Sequence, residues 1–114
     1  MSFLDRLRGR PRDPVPVTLY SKPGCHLCEV MKQELARAGL ERRYALEEVD
    51  ISGDAKLSKL YGLRIPVLAI AGRVAFEGKL DPAQFERVLL ERAAEWERAR
   101  TLARALDSGK ERGE

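Results

Sequence analysis

The sequence has few of the residues and patterns that mark several large classes of proteins. Its two cysteines are too few for the disulfide framework of a small secreted domain. Its longest all-aliphatic run, residues 67–71, is far shorter than the roughly 20 apolar residues that a membrane-spanning helix needs. No apolar segment follows the basic start at residues 1–12. We therefore expect no secretory signal peptide, no membrane span and a cytoplasmic protein.

Positive charge is not concentrated in the region that is expected to fold. The net charge is +3, and residues 1–14 hold four Arg against two Asp. Residues 15–81 carry ten basic and nine acidic side chains, and residues 82–114 carry seven of each. A protein that binds nucleic acid concentrates basic side chains on one face, so we expect no nucleic-acid partner. The hydrophobic fraction of 44% is enough for a core and excludes global disorder.

Composition and periodicity divide the chain into three parts. Residues 1–14 are rich in Arg, contain two prolines and are predicted to be a flexible basic arm. Residues 15–96 are predicted to form one folded domain, and residues 97–114 a helical extension with a frayed tail. If the arm became helical, its apolar residues would share one face. A weak contact with a membrane surface or a partner is therefore the alternative interpretation of the arm.

The hydrophobic pattern predicts elements in the order β-α-β-α-β-β-α. Apolar residues alternate in strands and recur every three or four positions in helices. This places the elements at residues 15–20, 25–38, 44–51, 53–61, 64–70, 74–77 and 82–106. In the short fourth element, Leu57 and Leu60 are expected to face inward. The first β-α-β unit should be parallel and the later hairpin antiparallel, so the predicted fold class is α/β, with a four-stranded mixed sheet flanked by helices.

The two cysteines lie together near the start of a predicted helix. Cys25 and Cys28 are three positions apart, so their thiols share a face within disulfide reach. Cys25 follows a turn and opens the helix, where unpaired N–H groups and the helix dipole favour negative charge, and Lys22 adds a positive charge nearby. Both effects lower the pKa of a thiol, and the thiolate is the nucleophile of disulfide exchange. We therefore predict that Cys25 attacks and that Cys28, one turn deeper, resolves.

Three other interpretations of the two cysteines are open at this point. They could be buried structural thiols, although such thiols need neither a Pro-Gly turn nor a helix start. They could be half of a zinc site, but the only histidine is His26, between them, so a second chain would have to supply ligands. They could form a thiol sensor without turnover, which uses the same chemistry. We favour redox chemistry and predict no metal.

Two motifs give the chain a family resemblance. Residues 19–28 read LYSKPGCHLC, and residues 64–67 read RIPV. The combination resembles the glutaredoxin-like branch of the thioredoxin superfamily, and especially its small bacterial proteins with a C-x-L-C site, over residues 15–96. The resemblance implies a thioredoxin fold and the reduction or exchange of disulfides without a bound cofactor. It also implies a cis peptide bond between Ile65 and Pro66 beside the thiols, with the Ile65 backbone pairing with bound substrate.

The resemblance also implies a substrate class and electron donors. It implies substrate-binding roles for Tyr20, Lys22, Ile65, Pro66 and Gly78. The substrate would be a disulfide-containing protein or a low-molecular-weight thiol, and the reductant would be glutathione or a flavin reductase. Lys22 matches a family lysine associated with a glutathione carboxylate. In contrast, residues 77–81 (EGKLD) keep one glycine of the usual pair and have Glu77 in place of the other, and Glu77 would repel glutathione carboxylates if it faced them.

The last predicted helix, residues 82–106, is longer than the fold requires. Asp81 as N-cap, Pro82 at N1 and Gln84 at N3 mark its start. Past Trp96 the apolar seam has only two alanines and one leucine, which is too little to predict a coiled coil. We therefore expect a solvated extension and a monomer. The alternative is a docking or dimer helix in a non-enzymatic redox-sensing or adaptor protein, whose thiol state gates partner binding.

Overall fold

The computed structural model describes the backbone of residues 14–112 and the side chains of residues 14–107. The predicted arm at residues 1–14 therefore lies outside the described residues, apart from Pro14. The strands are β1 (Val15–Ser21), β2 (Tyr44–Asp50), β3 (Val67–Ile70) and β4 (Arg73–Glu77). The helices are α1 (His26–Ala38), α2 (Ala55–Tyr61) and α3 (Pro82–Arg112), with short 3-10 turns at Glu41–Arg43 and Ile51–Gly53. The predicted order of elements is confirmed.

The strands form one mixed sheet in the order β2-β1-β3-β4. β1 runs parallel to β2 and antiparallel to β3, and β3 runs antiparallel to β4. In the register, Ser21 pairs with Asp50, Tyr20 with Val67, and Val67 with Glu77. The C-terminal ends of β1, β2 and β4 and the start of β3 therefore lie together. We call this end of the sheet, from which the chain leads to Cys25, the thiol end. The predicted four-stranded mixed sheet is confirmed.

The hydrophobic core joins three strands to the two long helices. Phe85 of α3 is fully buried, and its ring lies 5.5 Å from that of Tyr44 in an edge-to-face arrangement. Such edge-to-face pairs stabilise the fold by more than the apolar area they bury would give. The buried members of this core are Val15, Val17, Leu19, Met31, Leu35, Tyr44, Leu68, Ile70, Leu80, Phe85 and Leu89. The core therefore fixes α1 and α3 against the sheet and holds the thiol end in place.

Helix α3 begins as predicted but ends later. The Gln84 N–H donates a hydrogen bond to the Asp81 carboxylate at 3.0 Å, which confirms Asp81 as the N-cap. The helix continues through Gly109 to Arg112 instead of ending near residue 106, and the added segment contains no proline. Trp96 packs partly buried against the core, whereas the side chains of residues 101–107 are all exposed. No helix within residues 14–112 is long and apolar enough to cross a membrane.

An arginine attaches α3 to the hairpin of β3 and β4. The Arg92 guanidinium donates to the backbone carbonyls of Arg73 at 2.7 Å and Val74 at 3.4 Å. Arg73 in turn forms an ion pair with Glu95 at 2.6 Å. These bonds attach the helix to β4, which is an edge strand of the sheet. Arg92 thus has a structural role.

The predicted start of β3, at the thiol end, was wrong. β3 begins at Val67 instead of at residue 64. The reason is that Arg64 and Ile65 donate their backbone N–H groups to the Tyr61 carbonyl, at 2.8 and 3.0 Å, and so continue the turn that ends α2. The residues before Pro66 therefore form a loop at the start of the strand. Their backbone is therefore held by the end of helix α2 and not by the sheet.

The boundaries and orientation of α2 also differ from the prediction. β2 ends one residue early, at Asp50, because this aspartate caps the 3-10 turn that follows. α2 begins at Ala55 instead of at residue 53, and the Asp54 carboxylate accepts the Leu57 N–H at 2.9 Å as its N-cap. Leu60 is 56% exposed, so its predicted inward orientation was wrong. A helix of two turns buries only a narrow face, which leaves Leu60 outside.

Candidate active site

A tight turn joins β1 to α1 and positions the first cysteine. The Cys25 N–H donates to the Lys22 carbonyl at 3.2 Å, which closes the turn over Pro23 and Gly24. Gly24 has a φ of 81°, as the third position of a type II turn requires, and proline suits the second position. Cys25 is the N-cap of α1 and not its first helical residue. It therefore lies at the positive end of the helix dipole.

The two cysteines are joined as a disulfide and differ in exposure. Cys25 and Cys28 have Cα atoms 5.3 Å apart, and the disulfide confirms their predicted proximity. The Cys28 backbone N–H donates to Sγ of Cys25 at 3.1 Å, so sulfur occupies the place that a side-chain oxygen usually takes at an N-cap. Cys25 is half-buried, whereas Cys28 is only 1% exposed. Cys25 is therefore the accessible member of the pair, and Cys28 is shielded.

The loop before β3 lies at the same end of the sheet. Its Ile65–Pro66 peptide bond is cis. The Gly78 N–H donates to the Pro66 carbonyl at 2.8 Å and so ties the end of β4 to this loop. The Ile65 N–H is already used by the Tyr61 carbonyl, whereas no hydrogen bond to the Ile65 carbonyl is found within residues 14–112. An incoming chain would therefore meet an acceptor at Ile65 and not a donor.

Two tyrosines and an arginine are stacked beside this loop. The rings of Tyr20 and Tyr61 have centroids 4.5 Å apart, and the Arg64 guanidinium lies 5.5 Å from the Tyr61 centroid. Burial raises the pKa of Tyr20, and interaction with Tyr61 raises it further. The Tyr20 hydroxyl is therefore protonated at neutral pH. The stack forms the wall of the thiol end on the side of β3.

Arg64 and Glu77 form a two-point ion pair on the same wall. Nε and Nη2 of Arg64 donate to the two carboxylate oxygens of Glu77 at 3.2 and 2.5 Å. The remaining nitrogen, Nη1, donates to the Leu60 carbonyl at 3.2 Å. Hydrogen bonding to Arg64 lowers the pKa of the Glu77 carboxyl, and the same contact raises the pKa of Arg64. Sequence reasoning selected Glu77 but missed Arg64. The only sequence signal for Arg64 was a charge opposite to that of Glu77, three residues before the first strand of the hairpin.

A second polar group lies on the β2 side of the thiol end. The Ser21 hydroxyl donates to Oε2 of Glu48 at 2.7 Å, and Nζ of Lys32 lies 3.2 Å from Oε1 of Glu48 and 2.9 Å from Glu29. The Ser21 hydrogen bond is the largest of the effects that lower the pKa of Glu48. An adjacent cavity of about 300 Å³ is lined by Ser21, Lys22, Pro23, Glu29, Glu48 and Asp50. Sequence reasoning did not find this group, because it forms only when β1, β2 and α1 come together.

The residues predicted to form the site all belong to segments that meet at the thiol end. Those residues are Tyr20, Lys22, Cys25, Cys28, Ile65, Pro66 and Gly78. Their substrate-binding roles stay predictions. Lys22 is exposed and lies in the turn before Cys25. Within residues 14–112 there is no group of three or more His, Cys, Asp or Glu side chains that could hold a metal ion.

Residues 16–90 match the family model of the glutaredoxin-like domain (DUF836). This match spans more than half of the sequence, so the chain belongs to that family, as the resemblance indicated. The family and the paired cysteines together support a role in thiol redox chemistry. A comparison with curated proteins gives no match.

Solved structures agree with the family assignment. The X-ray structure of a structural genomics target protein from X. campestris is 36% identical, has a TM-score of 0.57 and aligns over 64% of this chain and 93% of its own. The solution NMR structure of a protein from Nitrosomonas europaea is 29% identical, with a TM-score of 0.60 and coverage of 70% and 96%. A mutant thioredoxin from Halobacterium salinarum is 18% identical, with a TM-score of 0.51 and coverage of 68% and 73%. The chain therefore has the thioredoxin fold.

Proposed function

We propose that this protein is a thiol–disulfide oxidoreductase in which Cys25 is the nucleophile and Cys28 the resolving thiol. The observation that carries the proposal is the asymmetry of the pair. The Cys25 sulfur caps helix α1 and accepts the Cys28 N–H, and it belongs to the more exposed residue. Cys28 is almost fully buried one turn deeper. A structural disulfide has no need of this difference, whereas exchange chemistry needs an accessible thiolate and a shielded second thiol.

The reaction has two displacement steps. The thiolate of reduced Cys25 attacks one sulfur of a substrate disulfide, forms a mixed disulfide and releases the other substrate sulfur as a thiolate. The Cys28 thiol then gives up its proton and attacks the Cys25 sulfur, which closes the internal disulfide and releases the second substrate thiolate. The substrate disulfide thus gains two electrons from the dithiol, which is oxidised, and the two released thiolates are protonated by the proton from Cys28 and by one from solvent. Glutathione or a flavin reductase would return two electrons to complete the cycle.

Substrate would bind across the turn that holds Cys25 and the loop that holds Pro66. An extended segment of substrate would donate an N–H to the Ile65 carbonyl, beside the half-buried ring of Tyr20 and next to Gly78. Lys22 would attract a negatively charged group from the exposed side of the turn. No resident metal or organic cofactor takes part in these steps. Because the cycle needs a supply of reductant, we propose the cytoplasm as its location.

Two cysteine variants test the proposal. Cys25→Ser should abolish reduction of insulin and of hydroxyethyl disulfide, because the nucleophile is lost. Cys28→Ser should accumulate a mixed disulfide with substrate on Cys25, visible as an added mass that dithiothreitol removes. Turnover in Cys25→Ser equal to that of the unchanged protein would disprove the proposed mechanism. A mixed disulfide that forms on Cys28 and not on Cys25 would reverse the two assigned roles.

The electron donor is tested by coupled assays. One assay supplies glutathione with glutathione reductase and NADPH, and the other supplies thioredoxin reductase with NADPH. The faster of the two, measured with insulin as the common substrate, identifies the class of reductant. A Cys25→Ser protein serves as the control in both assays, because any remaining rate then comes from the reductant alone.

A redox-sensing adaptor is the second candidate function, and the length of α3 favours it. The exposed side chains of residues 101–107 leave this part of the helix open to a partner. An adaptor would bind a partner with an affinity that depends on the state of the two thiols. Truncation after Ala94 would then abolish binding, whereas an enzyme would keep its thiol chemistry in any shortened protein that folds.

A further inference from the structure

We infer that the Arg64–Glu77 ion pair makes the site select disulfides by charge. The inference rests on the proposed function and names the substrate class of the same site. The favoured substrate is a disulfide flanked by cationic groups, as in a basic segment of a client protein. Anionic disulfides, of which glutathione disulfide is the example, are disfavoured.

The ion pair lies beside the Pro66 loop, across which substrate is proposed to bind. Glu77 pairs with Val67 in the register of the hairpin, and Val67 directly follows Pro66. Arg64 lies two residues before Pro66, in the loop at the thiol end. Arg64 therefore belongs to the loop that flanks the thiols, and Glu77 is held beside the residue that follows Pro66. A charged group carried by a substrate would meet this wall while its disulfide is near Cys25.

Arg64 is not free to receive a carboxylate from a ligand. Its Nε and Nη2 bind both oxygens of Glu77, and Nη1 binds the Leu60 carbonyl. Its guanidinium also lies over the ring of Tyr61. A ligand carboxylate would have to displace Glu77 from a two-point contact, which is the geometry that Arg and carboxylates prefer. The wall therefore offers no open cation to an anionic ligand.

The β2 side of the thiol end adds further negative charge. Glu29, Glu48 and Asp50 line the cavity there, and the Lys32 ammonium is already paired with the first two. The exposed cation on this side is Lys22. At this end of the sheet, Lys32 and Arg64 are paired with carboxylates, and the exposed cations are Lys22 and Lys79. Glutathione disulfide carries four carboxylates and two ammonium groups, and the occupied Arg64 offers those carboxylates no free partner, whereas the Glu77 carboxylate attracts a cationic disulfide.

Two small disulfides of opposite charge test this inference directly. Reduced protein is mixed with glutathione disulfide or with cystamine, the reaction is quenched, and the remaining thiols are counted by alkylation and mass spectrometry. Each rate is divided by the rate of a small dithiol with the same disulfide, which removes the difference in leaving groups. The unchanged protein should prefer cystamine, and the preference should weaken as salt is added, because exposed charges are screened.

Variants of the ion pair should move the preference in opposite directions. Glu77→Gln removes a negative charge and releases Arg64, so the ratio of glutathione disulfide to cystamine rates should rise by about two- to fivefold. Arg64→Gln leaves Glu77 unpaired and should lower the same ratio. The matched control is Glu95→Gln, which breaks the ion pair with Arg73 at the opposite end of β4. That pair is similar in length and exposure, with N and O 2.6 Å apart and Glu95 55% exposed against 40% for Glu77.

The outcomes separate this inference from the proposed function. A ratio in Glu77→Gln equal to that in Glu95→Gln would overturn charge selection, and so would a rise in Arg64→Gln. Failure of the reduced protein to react with either disulfide would overturn the oxidoreductase proposal instead. A preference for cystamine that is lost in Glu77→Gln but kept in Glu95→Gln would support both.

Discussion

The backbone N–H of Cys28 points at the sulfur of Cys25, 3.1 Å away, across the first turn of helix α1. An N-cap side chain normally accepts such a bond through oxygen, and here a sulfur takes that place. The N–H is a fixed part of the helix backbone, so it is present whatever the redox state of the two cysteines. We expect the same N–H to stabilise a negative charge on Cys25 when the disulfide is reduced.

The first prediction concerns the acidity of Cys25. In the reduced Cys28→Ser variant, which keeps the backbone N–H, we expect a pKa of the Cys25 thiol below the value of about 8.5 for a free thiol. The measurement is the rate of alkylation by iodoacetamide as a function of pH. The control is reduced Cys25→Ser, whose buried Cys28 should react slowly throughout. An inflection for Cys25 at the free-thiol value would remove the helix terminus as a source of activation.

The second prediction concerns the core beneath the site. Phe85 is fully buried against Tyr44, and Phe85→Ala should lower the free energy of unfolding by about 3–5 kcal/mol because it removes a large apolar side chain and leaves a cavity. The measurement is urea unfolding of the oxidised protein. Leu102→Ala, at a position that is 60% exposed, is the control and should change the free energy by less than about 0.5 kcal/mol. Equal losses of stability in Phe85→Ala and Leu102→Ala would mean that α3 does not pack against the sheet through Phe85.

The fold could be predicted from the sequence because its elements have strong local signals. The Pro-Gly turn before Cys25 and the Asp81 cap of α3 each determine a boundary through their own chemistry. Around Tyr61 the prediction failed, because the N–H groups of Arg64 and Ile65 bind back to the helix and not to the sheet. An apolar run that contains a proline does not show whether the residues before the proline bond to the helix or to the sheet. That depends on how the preceding helix ends.

The third prediction concerns the length of α3. Truncation after Arg100 should leave the free energy of unfolding within about 0.5 kcal/mol, because the described side chains beyond it are exposed. Truncation after Glu91 also removes the Arg92 hydrogen bonds and the packing of Trp96, and should cost at least about 2 kcal/mol. Urea unfolding of both proteins measures the difference. A similar loss in the two would show that residues 101–114 contribute to the body of the fold.

The candidate site was predicted only in part, for a physical reason. The cysteine pair could be predicted because its spacing on one helix and the turn before it both involve residues that are close together in the sequence. The Arg64–Glu77 and Ser21–Glu48 contacts join residues 13 and 27 positions apart. Such contacts depend on the register between strands, which the hydrophobic pattern does not specify to the level of individual polar side chains.

The last prediction uses the lowered pKa of Glu48, whose main cause is the hydrogen bond from Ser21. A carboxyl with a lowered folded pKa stabilises the fold above its unfolded pKa, and this contribution is lost as pH falls through the folded value. Glu48→Gln should therefore be less stable than the unchanged protein at pH 7. The difference should shrink as pH falls below the ordinary glutamate pKa of 4.5.

Urea unfolding at a series of pH values between 7 and 3 measures this difference for Glu48→Gln and for Glu47→Gln. Glu47 is the exposed neighbour on β2, which makes it the matched control for removing one carboxylate from the strand. If the loss of stability in Glu48→Gln disappears on acidification, and the free energy of unfolding of Glu47→Gln changes less, the effect is assigned to the Ser21–Glu48 contact. A difference for Glu48→Gln that stays constant from pH 7 to 3 would contradict it, because the ionised carboxylate gains more from the Ser21 hydroxyl and the Lys32 ammonium than a neutral group does.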